Sequence, residues 1–390
     1  MMDFIAVFFE RESIFGYSLI ICFMIKRIKR LFHALVAERS RRKQYRIFDG
    51  KIERELKRLK NRKQLTNEQK REIEDFYVSM IGKKIPLSSH EFFYSRTGYY
   101  SKEYVPKGIY TVDLLPKANK VKYRDAYADK NMIDVLLPNV KHPHTVLKRM
   151  NGYFYFEGEP VSKEEAIKSC WNISNCIIKP SLEYSGKGVC GLDVENGVTS
   201  IDELSIESLF EKYGENFQIQ ERLKQHERMC LLNPTSVNTI RILTYRSGME
   251  ILVVYSVVRI GRMGQVVDNQ CAGGISVVIG EDGKLGKSAF GGYTENNVLK
   301  TDVGTELNGF EIPSYDKAIE TVKKLHFQLP FFNLIGWDVA IDEVGDPVVI
   351  EWNVNTGLSQ SAFGPGFGKY TERIIRELWP RENSWNRNWK

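Results

Sequence analysis

The chain has 390 residues, 42% hydrophobic, 12% aromatic and 27% charged, which excludes a collagen-like, low-complexity or wholly disordered protein and leaves apolar material for two or three lobes. Its net charge of +7 is concentrated in one place. Between Lys26 and Lys63, 16 Lys/Arg stand against 4 Asp/Glu, whereas the 327 residues after Lys63 carry a net −3, so no broad nucleic-acid-binding face is expected on the body.

The first element is an apolar run of 12 residues, Ile14 to Ile25, followed at once by Lys26-Arg27-Ile28-Lys29-Arg30. As a helix it spans about 18 Å, short of a hydrocarbon core of about 30 Å. The charge follows the apolar run instead of preceding it, so the segment does not read as a secretory signal. Two readings stay open. Residues 14–63 lie on an anionic membrane surface, or the helix packs on the body or on a partner subunit. The oligomeric state is not legible. Residues 39–63 are charged and helix-prone. Thr66-Asn67-Glu68-Gln69 fits a capping box, and Ile73, Phe76, Tyr77, Met80 and Ile81 form one apolar stripe that Gly82 and Pro86 end, so the folded body is expected to begin near residue 66.

Residues 84–150 read as Tyr/Phe-rich turns and short helices. His142 and His144, two apart across a proline with no third ligand nearby, read as loop residues. Beyond them come short β-branched and aromatic runs: 176–179, 217–220, 240–245, 251–260, 275–279, 335–341 and 348–352. A helix with Ala318, Ile319, Val322 and Leu325 on one face is expected over 315–328. The expected class is α+β, with mostly antiparallel sheets. The six cysteines, at 22, 170, 176, 190, 230 and 271, form no CxxC pair and read as reduced thiols of a cytoplasmic protein.

Two constellations carry chemistry. In Ile178-Lys179-Pro180-Ser181 to Ser185-Gly186-Lys187-Gly188-Val189 a strand delivers Lys179 and a Gly-rich turn follows. Such a turn suits backbone contact with phosphate, or is a plain hairpin needing positive φ. The second joins Gly336-Trp-Asp338 to Glu351-Trp-Asn353 around the turn at Val344-Gly345. A hairpin centred there sets Asp338 opposite Glu351, with Asn353 on the same face. Two facing carboxylates repel unless a cation lies between them, and hard oxygen donors suit Mg²⁺ bridging phosphates.

These motifs resemble the ATP-grasp superfamily, with Asp338-to-Glu351 and Glu351-to-Asn353 intervals like those of D-alanine–D-alanine ligases. Gln220 to Glu227, Asn233 to Arg241, Arg259-Ile-Gly, Val267-Asp-Asn269 to Gly274 and Glu351 to Gly357 resemble more specifically the sugar-transfer-associated ATP-grasp proteins of polysaccharide biosynthesis. The resemblance covers about residues 120–378 and nothing before 66. It implies an ATP-grasp fold: a helical basic extension (1–65), a mixed helical region (66–145), an ATP-grasp domain (146–378) with a small lobe (146–220) and a large lobe (221–378), and a tail (379–390).

The resemblance also implies roles. Lys179 would reach the nucleotide phosphates and Ser185, Gly186, Lys187 and Gly188 would cover them. Gln220, Glu221 and Leu223 would receive adenine at the hinge. Glu227, with His226 as its rival, would take the ribose hydroxyls. Asp338, Glu351 and Asn353 would hold Mg²⁺, or Mn²⁺. Either Lys148 or Lys130 would be the second phosphate lysine. Arg241 and Arg259 are candidates for clamping phosphoryl or carboxylate charge, and Asn269 for a substrate or metal contact. Thr356 departs from the proline common in the ligases. The implied activity is an ATP-dependent, ADP-forming carboxylate–amine or carboxylate–thiol ligase acting through an acyl phosphate on a sugar or amino-sugar precursor. The partners would be a small carboxylate and an amine or sugar acceptor, and the place cytoplasmic, peripheral at the inner membrane face. A kinase with a hydroxyl acceptor, and a non-catalytic ATP-binding tether, are the alternatives.

Overall fold

The computed structural model describes residues 2–183, 186–265, 268, 273–292 and 295–379, with side chains from residue 27 onward except at 295–296. Between Thr145 and Asn353 the chain forms two seven-stranded antiparallel sheets. The first holds β1 (Thr145–Met150), β2 (Tyr153–Phe156), β3 (Glu159–Val161), β4 (Ile173–Pro180), β5 (Cys190–Glu195), β6 (Val198–Thr199) and β7 (Phe217–Glu221), in the order β3-β2-β1-β7-β4-β5-β6. The second holds β8 (Thr239–Ser247), β9 (Glu250–Ile260), β10 (Ile275–Ile279), β11 (Ala289–Gly291), β12 (Glu295–Val298), β13 (Leu334–Ile341) and β14 (Pro347–Asn353), in the order β12-β11-β10-β9-β8-β13-β14. Every expected strand run falls in one of these, and the class is α+β. β1, which falls in the stretch read from sequence as turns and short helices, and β2 and β3, which were not among the expected strands, form a meander whose two turns place Asn151 and Glu157 at positive φ, each followed by a glycine that also has positive φ.

Strand alternation builds the cores. In the first sheet Cys176, Ile178, Phe217 and Ile219 pack with Leu209 and Phe210 of the helix Ile206–Tyr213, which leaves Ile177, Lys179, Gln218 and Gln220 on the other face. In the second sheet Ile240, Ile242, Ile335, Trp337 and Val339 pack with Ala318, Val322 and Leu325 of the helix Tyr315–His326. The opposite face is split along its length. Leu243, Tyr245, Tyr255, Val257 and Leu334 pack against helix α2 (Asn67–Ile81) and the helix Thr371–Leu378, and the remainder of that face is charged.

α2 forms as its sequence dictates. Thr66 accepts from the Gln69 backbone, Gln69 answers to the Thr66 backbone, all five stripe residues are buried, and Gly82 closes the helix at φ 74°. The start of the packed structure lies earlier than residue 66. Helix α1 (Met2–Arg58) docks through one stripe. Arg41 and Tyr45 bind the buried Asp113 carboxylate, Asp49 accepts from the Gly108 backbone at 3.0 Å, and Ile52 and Leu56 join Phe92, Phe93 and Tyr104 in a small core. These partners lie 59 and 72 residues away for Asp49 and Arg41, too far for local periodicity to reveal. Side chains of the apolar run at 14–25 lie outside the described residues. No helix among the described residues is long and apolar enough to cross a membrane.

The β13–β14 hairpin turns at Val344 rather than between Val344 and Gly345. Ile341 pairs with Pro347 and Val339 with Val349, and a bulge at Ile350 then restores Asp338 opposite Glu351. The expected pairing at the site is present, through an irregularity that the centred hairpin did not contain.

Candidate functional site

The uncovered faces of the two sheets meet round a cavity of about 890 Å³, its open mouth included. From the first sheet come Ile177, Lys179, Gln220 and Glu221. The second sheet supplies Thr239, Arg259, Asp338, Ile350 and Glu351, the short helical turn at Lys130 adds that lysine, and loops add Pro143, Glu183, Gly186, Lys187, Val189, Leu223, Val237 and Asp268. Ile177 and Pro143 lie beside Gln220, whereas Lys130, Lys179, Arg259, Asp338 and Glu351 form a charged group. Gln220 is oriented because its amide donates to Thr145 Oγ1 at 2.9 Å and to the Pro143 carbonyl at 3.3 Å.

On the second sheet β14, β13 and β8 present one cross-strand row, Glu351–Asp338–Arg241. Asp338 is 2% exposed. Its Oδ1 accepts from Arg241 Nε at 2.5 Å, and its Oδ2 accepts from Arg241 Nη2 at 2.7 Å, Arg259 Nη1 at 3.1 Å and Asn353 Nδ2 at 3.4 Å. Burial alone would raise this carboxyl, but the Arg241 and Arg259 guanidiniums outweigh it and hold Asp338 well below the usual carboxylate range. Gly336 makes close packing feasible on the same strand. A Cβ there would lie 2.5 Å from Thr356 Oγ1 and 3.0 Å from Thr356 Cβ, so Thr356 packs over this strand only across a glycine, while the Arg241 stem at 3.4 Å is in ordinary contact.

Glu351 is more open. It accepts from Asn353 at 3.1 Å and faces Lys130 Nζ at 3.6 Å. Lys130 itself is steadied by the Glu183 carbonyl at 2.6 Å. Lys179 is buried, which pushes its ammonium down to about 8; Glu351 opposes that shift and Lys130 adds to it. The turn after Lys179 is tight. Gly188 has φ 74°, a Cβ there would come within 2.9 Å of Pro180, and its carbonyl accepts from Tyr213 Oη at 2.9 Å.

The structure therefore gathers Lys179, Gly186, Lys187, Gln220, Glu221, Leu223, Arg259, Asp338 and Glu351 round one cavity, with Arg241 and Asn353 bonded to its carboxylates. Three of the other expected residues stand apart. Gly188 shapes the turn without lining the cavity. Lys148 is buried on β1 and bonds Asp134 and the Asn131 carbonyl, and Lys130 takes the place beside Lys179 that the sequence left open between them. Glu227 is exposed at the start of the short helix Glu227–Cys230 and does not line the cavity; its rival His226 accepts from the Arg228 backbone at 3.1 Å. Ser185 and Asn269 lie outside the described residues. His144 pairs with Glu157 at 2.8 Å in its loop, and the four described cysteines are free thiols.

Asp268, Thr239 and Glu183 were not singled out from the sequence. Asp268 is buried, accepts from the Thr239 backbone at 3.1 Å and from its hydroxyl, and meets Arg259 Nη2 at 3.3 Å. Burial raises its carboxyl, against the pull of Arg259. The signal available was its place between Val267 and Asn269 in a Gly-rich segment.

The donor chemistry bears on a metal. Among the described residues no three His, Cys, Asp or Glu side chains form a group that could hold an ion alone. Two carboxylates and an amide oxygen are a sufficient protein share for Mg²⁺, which normally completes its octahedron with phosphates and waters. With the Asn353 amide turned over, since its Nδ2 faces both carboxylates here, the set at Asp338, Glu351 and Asn353 fits a cation brought with a nucleotide, with Glu351 the least engaged donor.

The model of the sugar-transfer associated ATP-grasp family matches residues 111–374. No curated protein matches the chain. Among solved structures, an ATP-grasp superfamily protein from Archaeoglobus fulgidus is 12% identical, covering 65% of this chain and 52% of its own, with a TM-score of 0.30. An L-amino acid ligase from Bacillus licheniformis is 13% identical over 66% and 49%, with a TM-score of 0.37. D-alanine–D-alanine ligase from Bacillus anthracis is 16% identical over 65% and 67%, with a TM-score of 0.36. The chain thus spans about half the length of the first two. With its family match running through both sheets and the cavity between them, the chain belongs to the sugar-transfer-associated ATP-grasp family.

Proposed function

We propose that the protein is an ATP- and Mg²⁺-dependent carboxylate–amine ligase that works through an acyl phosphate on a sugar or amino-sugar precursor of a surface polysaccharide. The observation that carries the nucleotide part is the lining of the cavity. Apolar residues and the oriented Gln220 amide suit a base, and Lys130, Lys179 and Arg259 suit phosphates. Asp338, Glu351 and Asn353 would hold the metal, which supplies charge neutralisation on the phosphoryl oxygens. The chain's own residues do the rest. Lys179 and Lys130 bind phosphate oxygens, Arg259 takes charge that develops during transfer, and Gly186 and Lys187 close the turn against water. Arg241 already spends its Nε–Nη2 edge on Asp338, so it is through its remaining Nη1 side that it is proposed to orient the carboxylate that attacks the γ-phosphorus. The acyl phosphate then reacts with the amine and releases phosphate.

The sugar acceptor follows the family's description, and the polysaccharide context rests on the resemblance of the sequence motifs alone. The cytoplasmic location follows the cysteine usage, and the peripheral placement follows the basic N-terminal segment. Product analysis tests the reaction class. Incubation with ATP, Mg²⁺ and paired carboxylate and amine candidates is expected to give ADP, free phosphate and an amide. A stable phosphate ester with no free phosphate would overturn the ligase reading in favour of a kinase.

A further inference from the structure

Helix α1 carries two stripes of opposite fate. Arg41, Tyr45, Asp49, Ile52 and Leu56, spaced by three or four, face the body and are consumed by docking. The second stripe lies about a quarter-turn round the helix. It begins with Ile28, Leu31, Phe32 and Leu35, which are 60%, 59%, 63% and 70% exposed, and Val36 at 51% widens it. It continues one turn later as Arg39, Arg42, Lys43 and Arg46, all exposed. Every residue from 27 to 37 is exposed, so the body does not cover this part of the helix. Single exposed apolar residues need no explanation, but five on one contiguous helical patch do.

We infer that this stripe, Ile28 to Arg46, is a contact surface for a bilayer rich in anionic lipid; the inference deepens the peripheral location proposed above and confines it to one face of one helix. Charge decides the occupant. A second copy packed along the same stripe in parallel would oppose four cations with four cations, and in the antiparallel sense would bury them against Ile28 to Leu35. Anionic head groups neutralise Arg39, Arg42, Lys43 and Arg46, while the acyl boundary takes the five apolar side chains. Glu38 is the only acidic residue between Lys26 and Lys43, against eight Lys/Arg, and it is already paired with Arg41 and Arg42. Because the docked stripe is part of the same helix, a lipid-bound α1 holds the ATP-grasp body at a fixed attitude to the membrane rather than on a flexible tether. That arrangement suits a substrate that is itself membrane-bound.

The full-length chain is tested by vesicle flotation with phosphatidylcholine alone and with about one-third phosphatidylglycerol. Binding to the anionic vesicles is expected, at least tenfold tighter than to the neutral ones and weakened by salt. Leu31→Asp with Leu35→Asp should lose about tenfold or more, and Arg39→Ala with Arg42→Ala and Lys43→Ala severalfold together with the salt dependence. Neither set touches the docked stripe, so the melting temperature and calorimetric ADP affinity should be unchanged, which separates this test from that of the nucleotide site. Equal binding to both vesicles, or undiminished binding by Leu31→Asp/Leu35→Asp, overturns the inference. So does a wild-type dimer in sedimentation that these substitutions dissolve without any vesicle binding, which would assign the stripe to a second copy.

Discussion

The two sheets meet the cavity with opposite electrostatic strategies. On the second sheet (β8 to β14, the large sheet), the charged residues are adjacent across strands and, Glu351 apart, already satisfied. Asp338 collects four donors from Arg241, Arg259 and Asn353, and Arg259 also meets Asp268. On the first sheet (β1 to β7, the small sheet), Lys179 stands alone among its strand neighbours, buried, with its ammonium pushed down to about 8. The difference teaches what each side is for. The large sheet is preorganised by its own ion pairs, whereas among the described residues Lys179 makes no ion pair of its own, which is the state that the anion of the proposed function would complete.

The sharpest way to break the comparison is to unbalance the large sheet. Arg241→Ala leaves Asp338 buried with fewer donors and should cost about 3–5 kcal/mol of stability, measured by denaturant unfolding. A loss below about 1 kcal/mol would show that Arg259 and Asn353 suffice. Asp338→Asn and Glu351→Gln should each remove Mg²⁺-dependent turnover, by roughly a hundredfold or more, with the fold retained by circular dichroism.

The large sheet also has an acid-sensitive side. His326 lies beneath it, bonded to Thr244 Oγ1 at 2.8 Å and the Phe332 carbonyl at 3.0 Å, and burial lowers its imidazole to about 4. A folded-state value below the unfolded one means that the unfolded chain binds the extra proton. This residue's share of stability is therefore complete above about pH 6.5 and is lost progressively as the pH falls toward 4, on the order of 3 kcal/mol in all. Melts from pH 7 to pH 4 on wild type and His326→Gln should show a shallower slope in the variant.

The small sheet should respond in the other currency, affinity. Lys179→Ala is expected to weaken ATP binding tenfold or more while leaving stability within about 0.5 kcal/mol, or raising it, because an undercompensated buried ammonium is removed. The smallest effect is protonic. A bound polyphosphate raises the Lys179 value again, so ATP binding should take up a fraction of a proton above pH 8, and affinity should fall as the pH rises through that value. Calorimetry in buffers of different ionisation enthalpy checks the uptake, and Lys179→Ala should abolish it.

Much of this division was readable before the structure. The capping box at Thr66 and the stripe from Ile73 to Ile81 are local patterns, and both are realised residue for residue. The facing of Asp338 and Glu351 followed from strand alternation, although the bulge at Ile350 that delivers it has no sequence signature. What stayed hidden depends on distant contacts. The choice between Lys130 and Lys148 rests on Lys130 meeting Glu351, 221 residues on, while Lys148 turns to Asp134. The docking of α1 rests on Asp113, a lone buried acid in a short helical turn. The meander of β1 to β3 was missed for a different reason. β1 fell in the stretch up to residue 150 read as turns and short helices, and without it as a strand the Asn-Gly and Glu-Gly turns just beyond had no first strand to pair.

The central claim is that Lys179 and the carboxylate row across the cavity form one Mg²⁺-nucleotide site. Its most direct test is calorimetric ATP binding with and without Mg²⁺, on wild type and Lys179→Ala. The account predicts binding that Mg²⁺ strengthens and that the substitution weakens at least about tenfold. No binding by the wild type, or an affinity that the substitution leaves unchanged, would contradict it.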